Sequence, residues 1–282
     1  MQKNYFKALL LCVGFASVSY GQQRTIDLQN TREGENVEYC TQHKKLNELK
    51  QDPAFLKQWE KDQAQLAAEE AALKKSIKDG TAPKATLFTI PVVFHILHDG
   101  GSENISRAQI DDCIRIWNRD FRKRNADTAT VHPDFEGMPA DIEIQFVLAS
   151  KAPNGEVFGG VTRTRHPLTH DGSNGNAQVN AIVAGNDVFR GEWPGNKYLN
   201  VFVCADIGGA AGYTYTPNGF GPNMRTGIWA LDTYVGSIGT ANAYRSRTLT
   251  HEAGHWCNLP HVWGGTNNPG LANNCNSDDG VD

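Results

Sequence analysis

The stretch Thr250-His-Glu-Ala-Gly-His-Trp-Cys-Asn-Leu-Pro-His261 decides the reading of this 282-residue chain. Its first two histidines are four apart, so on a helix His251 and His255 project from one face and can grip one metal ion. Glu252 sits beside the first of them, within reach of a water on that ion. Six residues of unbroken helix would carry His261 about 120° off the shared face. The helix must therefore stop, and the sequence supplies the stop. Asn258 tolerates the left-handed conformation, while Pro260 cannot continue a helix and biases Leu259 toward extended backbone. The chain then turns back and delivers His261 to the same ion. Three histidine ligands leave one position of a tetrahedral Zn2+ open, the signature of a catalytic site. Such an ion lowers the pKa of a coordinated water to about 7 and polarises a carbonyl. Glu252 is placed to take the proton and later return it to a leaving amine.

Upstream of this motif the pattern alternates strand and helix. Thr89–Leu97 reads as a buried strand, and Ser106 caps a helix running through Ile110, Ile114, Trp117 and Phe121. Asp141–Ala149, Tyr198–Cys204, Gly212–Thr216 and Thr226–Leu231 read as four further strands. The motif helix is expected from about Ser246 to Asn258. This layout predicts an α/β (α+β) fold: a mixed five-stranded sheet, a backing helix and a zinc-binding active-site helix. Residues 41–78 contain no glycine and read as two helices, the second opened by Asp52-Pro53. Asp79-Gly-Thr-Ala-Pro83 reads as a linker. Residues 1–21, with Lys3 and Lys7 ahead of the apolar run Ala8–Ala16, read as a secretory signal too short to span a bilayer. The expected division is therefore 1–21 signal, 22–84 helical propeptide and linker, and 85–282 catalytic domain, with the product secreted.

Composition narrows the alternatives. At 39% hydrophobic and 21% charged residues the chain can bury a core, which excludes wholesale disorder. A net charge of −4 argues against a nucleic-acid partner, and no stretch approaches the length of a membrane helix.

The motif resembles the metzincin zinc peptidases, His-Glu-x-x-His-x-x-Gly-x-x-His, with Asn258 where most of them carry glycine. The likeness narrows to the pappalysin (cytophagalysin-like) family through Ile90-Pro-Val-Val-Phe-His95, Trp117-Asn-Arg-Asp-Phe121 with Asn125-Ala-Asp127, Ile142–Ala149, Tyr198–Val203 and Gly239-Thr-Ala. The resemblance implies a metalloendopeptidase acting on proteins or peptides, with zinc on His251, His255 and His261 and Glu252 as general base. It also implies a methionine turn beyond His261. Met1, Met138 and Met224 all lie upstream, so the chain is read as stopping before that turn, with the C-terminal subdomain truncated. The tail Cys275–Asp282 resembles the family's Ca2+ segment, with Asp278, the Val281 carbonyl and Asp282 as candidate ligands. The rival readings are a catalytically inactive peptide-binding module on the same scaffold and an inactive truncated fragment.

Cysteines add a regulatory expectation. With Cys12 in the signal, Cys40, Cys113, Cys204, Cys257 and Cys275 remain, an odd number. A Cys40 thiolate can fill the fourth zinc position, making the propeptide its own enzyme's inhibitor, as in some relatives. Lys74, Lys75, Lys78 and Lys84 are candidate activation cuts. Cys113 reads as a core residue, and pairing of Cys204 with Cys257 stays open. His95 and His98 read as packing or surface residues. Tyr213 and Tyr215 fall on the strand that the family uses as the edge of its substrate cleft.

Overall fold

A computed structural model of the protein describes residues 34–82, 87–216 and 223–262. Residues 1–21, expected to be a signal, Cys275 and the calcium candidates Asp278, Val281 and Asp282 lie outside the described residues.

The N-terminal helices form as the sequence predicts. Helix α1 spans Gln42–Leu49 and α2 spans Pro53–Lys78. The Asp52 side chain accepts from the Ala54 amide at 2.8 Å, satisfying one of the donors that a helix start leaves open, and Pro53 needs none. Helix α1 packs on the sheet. Most of α2 lies in solvent, but Phe55 is buried near its start.

The sheet is mixed and larger than expected. Its strands are β1 (Phe88–His98), β2 (Ile144–Leu148), β3 (Val161–Arg165), β4 (Leu199–Cys204), β5 (Gly212–Tyr215) and β6 (Gly227–Leu231). The order is β2-β1-β4-β6-β5, with β3 also paired to β1. The five strands expected are thus joined by a sixth. Strand β1 is long enough to pair its first half with β2 and its second half with β3, all in parallel. Strand β3, Val-Thr-Arg-Thr-Arg, has one apolar residue, and its inward positions are the buried threonines 162 and 164. An alternating apolar pattern could not reveal it. Only β5 runs antiparallel, and it forms one edge. Strand β2 begins later than Asp141 because Glu143 takes a left-handed φ of 53°.

Alternation along β1 separates two cores. Val92, Phe94 and Ile96 face helices α3 (Arg107–Phe121) and α5 (Thr248–Trp256), packing with Ile110, Cys113, Trp117, Leu249 and Ala253. Ser106 caps α3 through the Gln109 amide, as its sequence implies. Val93 and Leu97 face the other side, with Phe202, Trp193, Met224 and helix α4 (Gly175–Gly185). Helix α4 was not anticipated. Flanked by glycines and scarcely amphipathic, it starts on an Asn174 cap and buries Gln178, whose amide donates to the carbonyls of Leu168 and Asp206. Cys204 belongs to the second core, whereas Cys257 packs against the first. They lie on opposite faces, and no disulfide joins the four cysteines among the described residues.

His95 is a core residue, as expected. Asn200 donates its amide to the carbonyls of Trp193 and Met224, so its oxygen faces His95 Nε2 at 3.0 Å. That nitrogen must carry the proton, leaving Nδ1 to accept from Thr162 Oγ1 at 2.8 Å. Burial pushes the His95 pKa down to about 4. A depressed folded pKa means stability is full above the unfolded value near 6.5 and is lost as pH falls toward 4, by up to about 3 kcal/mol. Denaturant midpoints measured from pH 7 to pH 4 should show this fall, and a His95→Gln variant should flatten it.

Candidate metal centre

Helix α5 carries His251, Glu252 and His255 and then stops in one turn. Asn258 takes φ 69°. Its amide bonds the His255 carbonyl at 2.9 Å, and the Leu259 amide bonds Gly254 at 3.0 Å. This pair of bonds is a Schellman motif, which closes the helix carbonyls and reverses the chain. The turn does a second thing. It brings the Leu259 carbonyl to 2.7 Å from His255 Nδ1. That nitrogen therefore holds the proton, and Nε2 presents a bare lone pair. The turn thus sets which ring nitrogen is available to a metal.

The structure brings His251, His255, His261 and Cys40 together. The three Nε2 atoms stand 2.9, 3.2 and 3.3 Å apart, and Cys40 Sγ is 3.6 Å from His255 Nε2. All four donor atoms fall within 4.8 Å of one another. Lone pairs converging on one point repel unless a cation lies between them. A tetrahedral zinc ion with bonds of about 2.0–2.1 Å to nitrogen and 2.3 Å to sulfur sets its ligands about 3.3–3.6 Å apart. The donor set and its spacing fit that ion. Burial pushes the His255 pKa down to about 4, with the neighbouring His261 adding to the effect, so the ring is neutral as a ligand must be.

Glu252 is fully buried beside this cluster. Its Oε2 accepts from Thr214 Oγ1 at 2.9 Å, and the Cys40 thiol interacts with the same carboxyl. Burial pushes its pKa up to about 8; a divalent charge beside it acts in the opposite direction. Burial and the Glu252 charge likewise raise the Cys40 thiol. Two neighbours were not evident from sequence. Thr214, on β5, holds the carboxylate. Gly212, on the same strand, makes room for it, because a Cβ there would come within 2.9 Å of Glu252 Cγ. Nothing local in a strand of Gly-Tyr-Thr-Tyr marks either role, since both depend on α5 packing across it.

Cys40 arrives on an extended segment beside β5. Glu38 donates its amide to the Gly209 carbonyl and accepts from Ala211, and the Thr41 amide reaches the Gly212 carbonyl at 3.3 Å. The pairing is parallel, Glu38 opposite Ala210. Lys44 then closes on Glu38 at 2.6 Å. At the far side Gln63 of α2 exchanges amide hydrogen bonds with Asn258. A further network braces the helix start. Arg247 pairs with both oxygens of Asp127 and with Asp120, which also pairs with Arg119 and accepts from the Thr250 hydroxyl at 3.1 Å.

A mixed sheet with an antiparallel edge strand above a His-Glu-x-x-His helix is a metallopeptidase architecture. The family profile described as pregnancy-associated plasma protein-A, a peptidase family, matches residues 183–282. Mirolysin, solved in complex with a small compound, is 32% identical, covers 70% of each chain and superposes with a TM-score of 0.58. A Tannerella forsythia promirolysin variant is 31% identical with a TM-score of 0.58, over 74% of this chain and 67% of that one. The chain belongs to the pappalysin family of metallopeptidases. An extracellular metalloprotease of Colletotrichum graminicola is 27% identical over 212 residues, covering 70% of this chain and 62% of that protein. A second, from Coccidioides posadasii, is 27% identical over 185 residues, covering 62% and 53%. The chain thus spans less than two thirds of either curated relative. Among the described residues no helix is long and apolar enough to cross a membrane.

Proposed function

We propose that the protein is the latent form of a secreted zinc endopeptidase that hydrolyses peptide bonds in proteins or peptides. The convergence of three histidine Nε2 atoms within 3.3 Å of one another carries this reading. His251, His255 and His261 would hold Zn2+, which polarises the scissile carbonyl and acidifies the attacking water. Glu252 is placed to act as the general base, and would take a proton from the attacking water and return it to the leaving amine. Thr214 orients its carboxylate, and the packing around it excludes bulk solvent. The edge of β5 receives the substrate as an added strand, with Tyr213 and Tyr215 along it. In the latent chain Cys40 would supply a fourth donor to that ion, and the segment around it covers the same edge. The names of the curated relatives and the character of residues 1–21 support export. Residues 22–84 act as the propeptide, released by a cut near Lys74, Lys75, Lys78 or Lys84, and residues from 85 onward form the catalytic domain.

The test is cleavage of an unstructured protein substrate by the full natural protein after processing. Activity should vanish with 1,10-phenanthroline and return with Zn2+. Cleavage that survives complete chelation would sink the reading. A finer outcome concerns Gly212. Gly212→Ala should push Glu252 off its seat and lower kcat about tenfold or more while zinc content holds. An unchanged kcat would remove Gly212 from the account.

A further inference from the structure

Five residues before Cys40, Glu35 enters a site built by two side chains from the other end of the chain. Its carboxylate accepts from Arg245 Nε at 2.8 Å and, through the other oxygen, from the Tyr234 hydroxyl. The Arg245 guanidinium also lies over the Tyr234 ring, 4.6 Å from its centroid. The Glu35 side chain is 8% exposed and that of Arg245 25%. Tyr234 is almost wholly buried. Among the described residues, the side-chain hydrogen bonds of both Tyr234 and Arg245 go to Glu35. Asp232, on the same turn, feels the Arg245 charge but is the weaker rival, since burial favours its protonated form. The arrangement is a preformed carboxylate site: a cation fixed by stacking on a ring whose hydroxyl supplies the second donor.

Its position gives it a use. Glu38, three residues on, pairs with Gly209 and Ala211, and Thr41 with Gly212, as an added strand would, so the site lies on the path of a chain bound along that edge. Five extended residues put the Cα of Glu35 at most about 18 Å from that of Cys40. When the segment around Glu35 departs, Tyr234 and Arg245 lose this acceptor while keeping the stacking that orients them. The geometry points to an acidic subsite: Tyr234 and Arg245 bind a glutamate or aspartate side chain of a peptide lying along the β5 edge, and Glu35 occupies that place in the latent chain. This inference rests on the reading that the N-terminal segment is released, and it adds to that reading a recognised residue class.

The test separates binding from chemistry. The full natural protein carrying Glu252→Ala is loaded with zinc and processed to remove the N-terminal segment. Decapeptides with one glutamate walked along a neutral sequence are titrated against it by calorimetry, each beside its glutamine counterpart. At one position the glutamate peptide should bind about tenfold tighter or more. Arg245→Gln should erase that difference without weakening the glutamine peptide. Tyr234→Phe, which keeps the ring, should reduce it partly. Equal affinities at every position, or a glutamate preference that survives Arg245→Gln, would overturn the subsite. Failure of the peptidase reading would show separately, as absence of cleavage by the processed protein with Glu252 intact.

Discussion

Glu252→Ala is expected to lower kcat of the processed enzyme by about 10²–10⁴, the range that a positioned general base contributes. Zinc content should stay at one ion per chain, because the side chain is not among the converging donors. Truncation removes one of the two acceptors of the buried Thr214 hydroxyl, leaving the Glu252 carbonyl at 2.9 Å, and opens a space where the carboxyl was, so some loss of stability will accompany it. Glu252→Gln separates the two effects. It keeps the shape and a hydrogen bond to Thr214 but removes the base, and it should be nearly as inactive at near-normal stability. Activity within threefold of the unaltered enzyme in the glutamine variant would contradict the assigned role.

The second large effect concerns latency. Cys40→Ala in the unprocessed protein should raise its activity by about 10²-fold, the low end of what tethering gives a weak ligand. Removing the sulfur opens the fourth position. It does not release the edge, because Glu38 and Thr41 still pair with the chain ahead of and within β5. Full activity should therefore require the proteolytic cut as well. The variant should remain less active than the processed enzyme. A variant as silent as the parent would mean that coverage of the edge, rather than the thiol, maintains latency. The measurement is initial rate on a quenched peptide, with contaminating proteases blocked by a serine- and cysteine-protease inhibitor cocktail and autoprocessing followed by gel, so that only the rate before any cut is read.

Much of the site was legible because its chemistry is local. His251 and His255 share a helix face by spacing alone, and Asn258 with Pro260 predicts the turn that the φ of Asn258 and the Leu259–Gly254 bond display. Cys40 was a different matter. Its arrival beside His255 joins residues 215 apart and rested on the known chemistry of thiolates. The omissions share one cause. Strand β3 is threonine and arginine, held by pairing to β1 and by the inward Thr162 contact with His95. Helix α4 has little apolar periodicity because it buries Gln178 as well as Val179 and Ile182. Thr214, Gly212 and the Glu35 site gain their roles from elements far away in sequence. Periodicity reports what a segment does by itself, and these residues act through what the fold brings to them. The expected active-site helix was also too long. Its first residues, Ser246 and Arg247, serve the turn and the Asp127–Asp120 brace instead.

Three histidines and Cys40 are expected to surround one zinc ion in the unprocessed protein. X-ray absorption at the zinc edge, on the full natural chain before activation, tests it most directly. Three nitrogen scatterers at about 2.0–2.1 Å and one sulfur at about 2.3 Å are expected, with the sulfur replaced by a light atom after processing. A shell of nitrogen and oxygen alone before processing would contradict it.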